Sequence, residues 1–133
     1  MKATIITIES FTDKRGNLVV GQYPKNLPFA PMRFFIVSEV PTSEIRGVHA
    51  HISNQQFLLS ISGVIKVRVY NGLEWQEFVL DSKTGGLFIP ELHWAEQEYV
   101  TPGSQLLVLA SEEYSASGYI NSLAEFDSYL ATI

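Results

Sequence analysis

Ten short runs rich in β-branched and aromatic residues recur along this chain at intervals of about ten residues, each closed by turn residues, and no other feature constrains the fold as much. The runs are Ala3–Ile8, Leu18–Gly21, Arg33–Val37, Gly47–His51, Gln56–Ile61, Val64–Tyr70, Trp75–Leu80, Gly86–Ile89, Trp94–Tyr99 and Gln105–Ala110. Strands this short and this evenly spaced suit an all-β sandwich or barrel. Ser62-Gly63 and Asn71-Gly72 fall between runs, and Asn-Gly suits a two-residue hairpin turn. The stretch Leu27-Pro28-Phe29-Ala30-Pro31 reads as a loop, because its prolines cannot join a central ladder. Only the tail changes character: within Tyr119–Leu130, the residues Ile120, Leu123, Phe126 and Leu130 follow helical spacing. The expectation is one all-β domain over residues 1–133, a β-barrel or jelly roll closed by one or two short C-terminal helices.

At 133 residues the chain can bury a core of its own. Apolar residues make up 46% and charged ones 17%, yet no stretch approaches the roughly 20 apolar residues of a membrane helix. The opening Met1–Ile8 has too short an apolar part for a secretory signal and lacks a small-residue cleavage site, so it reads as a first strand. The absence of cysteine removes disulfides and thiolate chemistry, which fits a cytoplasmic protein. A formal charge of -5 argues against general nucleic-acid binding, which needs a basic face. A small anionic ligand remains compatible, since a few local arginines outweigh the global sign. In Val64–Tyr70, Ile65, Val67 and Val69 share one face and Lys66 and Arg68 the other, so alternation alone sends the two cations to solvent.

Chemistry concentrates at Arg46-Gly47-Val48-His49-Ala50-His51. Successive side chains of a strand point to opposite faces, so His49 and His51 project side by side. Imidazole is the group whose charge changes most readily near neutral pH, and such a pair can hold a metal or move protons. The spacing from Gly47 onward resembles the first motif of the cupins, in which His-x-His precedes an acidic ligand and then a glycine. Here the acidic position is Gln56, a neutral amide and a poor ligand for first-row ions. The second cupin motif places a histidine five residues after a proline. That position after Pro90 is Ala95, and His93 falls two residues early on the same face. Two histidines completed by an amide and an alanine are too few for a tight metal centre. A metal completed by His93, and a structural pair hydrogen-bonded inside a barrel, stand as the other readings of the residues.

A closer resemblance covers nearly the whole chain. Arg46-Gly47-Val48-His49-Ala50-His51, Gln56, Ser62-Gly63, Gly86-Leu87-Phe88-Ile89-Pro90, Trp94-Ala95-Glu96 and Leu107-Val108-Leu109-Ala110-Ser111 resemble the nucleotide-sugar 3,4-ketoisomerases. So do Asp13-Lys14-Arg15-Gly16-Asn17-Leu18, the Leu27-Pro28-Phe29 loop with Arg33 beyond it, and the late Tyr114, Tyr119-Ile120 and Phe126. The resemblance implies a cupin-type jelly-roll barrel that moves the ketone of a dTDP-linked 4-keto-6-deoxy sugar from C4 to C3, without metal or cofactor. It also implies a homodimer with exchanged N-terminal strands, for which the apolar Ile5, Ile6 and Ile8 make the first strand the exchanged piece.

Moving a ketone by one carbon takes a proton from C3 and delivers one to C4 through an enediol, which calls for a base and an acid. The resemblance assigns the carbon-bound proton to His51 and the hydroxyl relay to His49. It carries Arg46, Arg33, Gln56, Trp94 and Arg15 as substrate-binding residues. On a regular strand Arg46 faces away from the histidines; a bend at Gly47 would let its planar guanidinium reach a diphosphate. Gln56 is read either as a partner for a sugar hydroxyl or a histidine, or as a plain wall amide. Trp94 either stacks on the base or fills the barrel. Two departures from the family pattern line the presumed pocket. Phe34-Phe35 stands where a tyrosine is common, and Ala95 stands where an arginine is usual, with His93 nearby. They leave open the configuration of the product at C4 and the identity of the nucleotide sugar. A metal-binding cupin enzyme, a non-catalytic sugar-nucleotide-binding cupin and a related epimerase are the alternatives.

Overall fold

The strand rhythm resolves into two five-stranded antiparallel sheets with a separate hairpin, in a computed structural model that describes all 133 residues. In chain order the elements are β1 (Thr4–Ile6), β2 (Glu9–Asp13), β3 (Gly16–Val20), β4 (Arg33–Val37), β5 (Ile45–His51), β6 (Gln56–Ser62), β7 (Ile65–Tyr70), β8 (Trp75–Leu80), β9 (Gly86–Ile89), β10 (Trp94–Tyr99), β11 (Gln105–Ala110), β12 (Tyr119–Ile120) and α1 (Leu123–Leu130). One sheet runs β1-β9-β6-β11-β4 and the other β12-β5-β10-β7-β8. β2 and β3 pair only with each other. Five expected runs, Arg33–Val37, Trp75–Leu80, Gly86–Ile89, Trp94–Tyr99 and Gln105–Ala110, match their strands residue for residue.

Period-two alternation explains where the core sits. Leu58, Ile65, Val67, Leu106 and Val108 point between the sheets and are fully buried. Burying each such side chain stabilises the fold by about 1.5–3 kcal/mol. The opposite parity of β7 places Lys66 and Arg68 on the outer face, where Arg68 lies 3.5 Å from Glu96 and over the Trp75 ring. The outer face of the second sheet is covered by α1, which seats Phe126 against Ala50, Trp94 and Ile120. The outer face of the first sheet carries a smaller cluster of Ile8, Phe29, Phe57 and Phe88.

Four local expectations are corrected. The first run, Ala3–Ile8, contributes only Thr4–Ile6 as a strand, which pairs with β9 of the same chain. A hairpin strand over Glu9–Asp13 has no counterpart among the expected runs, because β2 and β3 are exposed on both faces and show no alternation. Asn71-Gly72 does not form a two-residue turn: β7 and β8 are joined by Asn71–Glu74, with Asn71 Oδ1 accepting from the backbone of Leu73 and Glu74. The tail is not one helix from Tyr119. Tyr119–Ile120 pairs with β5, and the helix begins only after Ser122, whose side chain accepts from Glu125 N at 3.1 Å. Ser122-Leu123-Ala124-Glu125 is the Ser-x-x-Glu pattern of a capped helix start.

Candidate active site

Strand β5 carries the site, and an irregularity in it decides which side chains face inward. β10 pairs Ala95 with His49 and Gln97 with Arg46, so Glu96 alone stands opposite Gly47 and Val48. That two-against-one arrangement is a β-bulge. Gly47 takes φ +72° there, a region that L side chains avoid, and an added Cβ would lie 2.9 Å from Gln97 Nε2. Directly opposed residues share a sheet face. The extra residue therefore turns Arg46 onto the face of the histidines, so of its two expected placements the one with a bend at Gly47 holds and the regular-strand one does not. Gln97 is buried on that face, where Tyr99 Oη donates to its Oε1 at 2.8 Å. Burial pushes the Tyr99 hydroxyl up to about 12, with the Arg46 charge pulling the other way.

Beyond the bulge the strand is regular, and His49 and His51 meet inside the barrel. Their ring centroids are 4.8 Å apart with planes at 89°, an edge-to-face contact. Burial holds both imidazoles below the ordinary histidine range. For His51 it acts together with the His49 and Arg33 charges and pushes the ring down to about 3. Both rings are consequently neutral at physiological pH, and each has a lone pair able to accept a proton. His51 Nε2 is buried without a hydrogen-bond partner. An unsatisfied buried polar atom costs about 1–3 kcal/mol, which a polar ligand would relieve.

Arg33 arrives from β4 in the facing sheet. Its guanidinium lies over the rings of Phe35 and Tyr114, 5.0 and 5.4 Å from their centroids, and its Nη2 donates to Tyr119 Oη at 3.5 Å. Its Nε is a second buried atom without a partner, and it lines the same small pocket as His51, Asn54, Glu112, Tyr114 and Tyr119. A larger hollow lies elsewhere, about 900 Å³ between the β2–β3 hairpin and the outer face of the first sheet, and is lined by no histidine. We place the chemistry at the smaller pocket, where the titratable groups converge.

The remaining sequence-predicted residues divide. Gln56 is buried, and its position two residues from Leu58 gives it the barrel-facing parity. Trp94 is not brought to the histidines: it pairs with Ala50, lies on the outer face under α1, and donates from Nε1 to Glu96 Oε2 at 3.0 Å. That geometry is the core-filling alternative. Arg15 sits at the exposed tip of the β2–β3 hairpin, paired with Asp13 at 2.7 Å and apart from the pocket of its own chain. His93 is held by donation from Nδ1 to the Glu91 carbonyl at 2.9 Å, and no three His, Cys, Asp or Glu side chains are arranged to hold an ion. Tyr119 went without a role in the sequence, although its ring contacts both histidines. It lies 68 residues beyond His51, and only strand pairing unites them.

An all-β jelly roll with an inward-facing histidine pair and an arginine from the opposite sheet defines a cupin-type small-molecule site. The family model described as "FdtA: WxcM-like, C-terminal" matches residues 1–131, and the chain belongs to that family. It is 32% identical over 133 residues to a TDP-4-oxo-6-deoxy-alpha-D-glucose-3,4-oxoisomerase of Aneurinibacillus thermoaerophilus, covering 100% of this chain and 96% of the relative. A 3,4-ketoisomerase from Helicobacter canadensis superposes with TM-score 0.93 at 29% identity, with 98% of each chain covered. The 3,4-ketoisomerase QdtA from Thermoanaerobacterium thermosaccharolyticum, as a histidine-to-asparagine mutant in complex with TDP-4-keto-6-deoxyglucose, superposes with TM-score 0.93 at 28% identity, covering 98% of this chain and 95% of that one.

Proposed function

We propose that this protein is a sugar-nucleotide 3,4-ketoisomerase that converts TDP-4-keto-6-deoxyglucose to a TDP-3-keto-6-deoxyhexose. The observation that carries the reading is the neutral, edge-to-face pair of His49 and His51, with His51 Nε2 bare inside the barrel. His51 takes the proton from C3 of the sugar, and the electrons of that bond form the C3=C4 double bond of an enediolate on O4. A proton moves from the C3 hydroxyl to O4 through His49. Collapse of the resulting C3 oxyanion makes the new ketone, while C4 receives a proton from the imidazolium. One C–H bond is broken and one formed, so no external oxidant or reductant is needed. A weakly basic imidazole suits the second half of this cycle, because the imidazolium gives its proton up readily. Arg33, beside His51, and Arg46, turned to the same barrel face by the bulge, supply the positive charge that an enediolate and a diphosphate both require.

The test is incubation with TDP-4-keto-6-deoxyglucose in deuterated water, followed by NMR of the sugar ring. Loss of the C3 proton signal with growth of a 3-keto product supports the assignment, and the configuration at C4 gives the product series. No exchange with wild-type protein overturns it in favour of a binding-only role.

The working form of the reading is a cytoplasmic homodimer. Phe11, Leu18 and Val19 on the hairpin, Phe34 and Ile36 on β4, and Ile61 on β6 are all exposed in the single chain. A second copy covering them would remove an apolar surface that monomeric proteins rarely expose. Exchange of N-terminal segments would bring Arg15 of one chain within reach of the other. Light scattering of the purified protein tests this directly; a monomer at micromolar concentration overturns it. No helix of the chain is long and apolar enough to cross a membrane.

A further inference from the structure

We propose that Tyr119 is a positioning residue of this site, its ring packing the histidine pair and its hydroxyl steadying Arg33. The inference rests on the ketoisomerase reading for its kinetic consequences but not for its physical ones. Tyr119 is directly opposite His51 in the β12–β5 pair. Its ring centroid is 4.8 Å from that of His49 and 4.5 Å from that of His51, so with the 4.8 Å between the imidazoles the three rings form a closed triangle. Tyr119 Oη accepts from Arg33 Nη2 at 3.5 Å, which links the two sheets across the pocket.

The placement is built into the backbone. β12 is only two residues long, yet it is anchored at both ends. Ile52 N donates to Gly118 O at 2.9 Å on one side, and Ile120 is buried against Ala50, Trp94 and Phe126 on the other. Tyr119 is the residue between those anchors. Its neighbour Tyr114, 5.7 Å away centroid to centroid, closes the far side of the Arg33 guanidinium.

The ring and the hydroxyl make separable contributions. The ring takes up the volume beside two imidazoles that water would otherwise fill, and an imidazole without water around it stays uncharged. The charged and titratable groups around the pair are Arg33 from β4, Tyr119 from β12, Glu112, Glu113 and Tyr114 of the segment before β12, which line the pocket with His51, and the two imidazoles themselves. Opposite His49 on β10 stands the uncharged Ala95. Glu96 of β10 is turned outward to Trp94 and Arg68. Loss of the ring therefore rehydrates the histidines, and the Glu112 and Glu113 carboxylates on the same pocket favour the charged ring in the same direction. The hydroxyl acts only on Arg33, and thereby on an anionic ligand. Phe35 supports the same guanidinium from below but has no oxygen to offer it.

The experiment uses the full chain with Tyr119→Phe and Tyr119→Leu, read first by NMR titration of the imidazoles without substrate. In wild type and Tyr119→Phe, the His51 signals stay those of a neutral ring down to about pH 5. In Tyr119→Leu their midpoint rises by about one unit or more. TDP binding by calorimetry weakens about 3- to 10-fold in Tyr119→Phe, the ordinary worth of one hydrogen bond. With TDP-4-keto-6-deoxyglucose, Tyr119→Phe changes KM more than kcat, while Tyr119→Leu lowers kcat and moves the acid limb of its pH profile upward. A folded Tyr119→Leu with unmoved histidine titrations overturns the role of the ring, and unchanged TDP affinity in Tyr119→Phe overturns that of the hydroxyl. If Tyr119→Leu does not fold, Tyr119→Met replaces it in the same comparison. A wild-type protein that titrates as described but leaves the sugar unchanged contradicts the enzymatic reading and leaves the packing role intact.

Discussion

His49 meets His51 edge-on, with 4.8 Å between ring centroids and 89° between ring planes, because a single alanine separates them on a regular stretch of β5. The arrangement lets the two rings address different atoms of one ligand while sharing a proton supply. Coupled titration follows, so a pH optimum of the enzyme belongs to the pair and not to either ring.

His51→Asn keeps the shape and removes the base. We expect its kcat to fall by about 10²–10⁴-fold or more, with deuterium exchange at C3 lost and the circular dichroism spectrum unchanged. His49→Asn should retain some C3 exchange while slowing net formation of the 3-keto product. Equal exchange rates in wild type and His51→Asn would show that the carbon acid is deprotonated elsewhere.

Acid should weaken the fold through these same histidines. The folded state holds His51 down to about 3 against an ordinary value of 6.5, so as pH falls below about 6.5 the unfolded chain takes up that proton first. Stability attributable to neutral His51 is fully present above about pH 6.5 and is lost progressively toward about pH 3. His49 and His93 are lowered by burial and act in the same direction. Urea midpoints measured from pH 7 to pH 4 should therefore drop more steeply in wild type than in His51→Asn. Parallel slopes would contradict a buried neutral ring.

Gly47→Ala should cost about 1–3 kcal/mol, combining a positive φ with contact against Gln97. Because Arg46 depends on the bulge for its facing, TDP affinity should fall along with stability. A variant of normal stability and normal affinity would mean that the bulge is not needed.

Trp94→Phe tests which side of the sheet the indole serves. Loss of the bond to Glu96 and of packing under α1 should lower the melting temperature, with TDP affinity preserved to within about twofold. Phe126→Ala, at the centre of the same cluster, should cost about 3–5 kcal/mol. A loss of nucleotide binding in Trp94→Phe without a stability change would return Trp94 to the ligand.

Deletion of residues 1–8 removes β1 from the edge of the first sheet and Ile8 from its outer cluster. Both thermal stability and dimerisation should decline, as read by calorimetry and light scattering. A fully folded monomer would refute the N-terminal segment as the exchanged piece.

Most of the barrel was legible because its strands are half-buried and alternate. Strands β7 and β10 show it: Val67 and Val69 in, Lys66 and Arg68 out, with the bounds of Trp94–Tyr99 matching residue for residue. Strand β2 was not, and β3 was read only from Leu18 on, since strands exposed on both faces leave no period to read. The pairing of His49 with His51 was legible for the same reason as the barrel, being a matter of parity over two residues. The facing of Arg46 was legible only as one of two placements, because a bulge adds one residue to the count and Gly47 alone marks it. Trp94 shows a different limit: parity puts it opposite the histidines, yet a large aromatic beside a motif draws attention whichever way it points. Tyr119 lay beyond local reasoning altogether, since helical spacing ran through Ile120 and strand pairing with β5 overrode it.

Ala50 stands between the two histidines and faces the other way, fully buried against Trp94, Ile120 and Phe126. Three consecutive residues thus serve two masters, the pocket on one side of the sheet and the helical clasp on the other. Whatever loosens the clasp is felt by the rings one residue away, so remote lesions in the last dozen residues should mimic active-site mutants. For anyone attaching a label or fusion partner to the C-terminal end, the distance that matters is the one to Phe126.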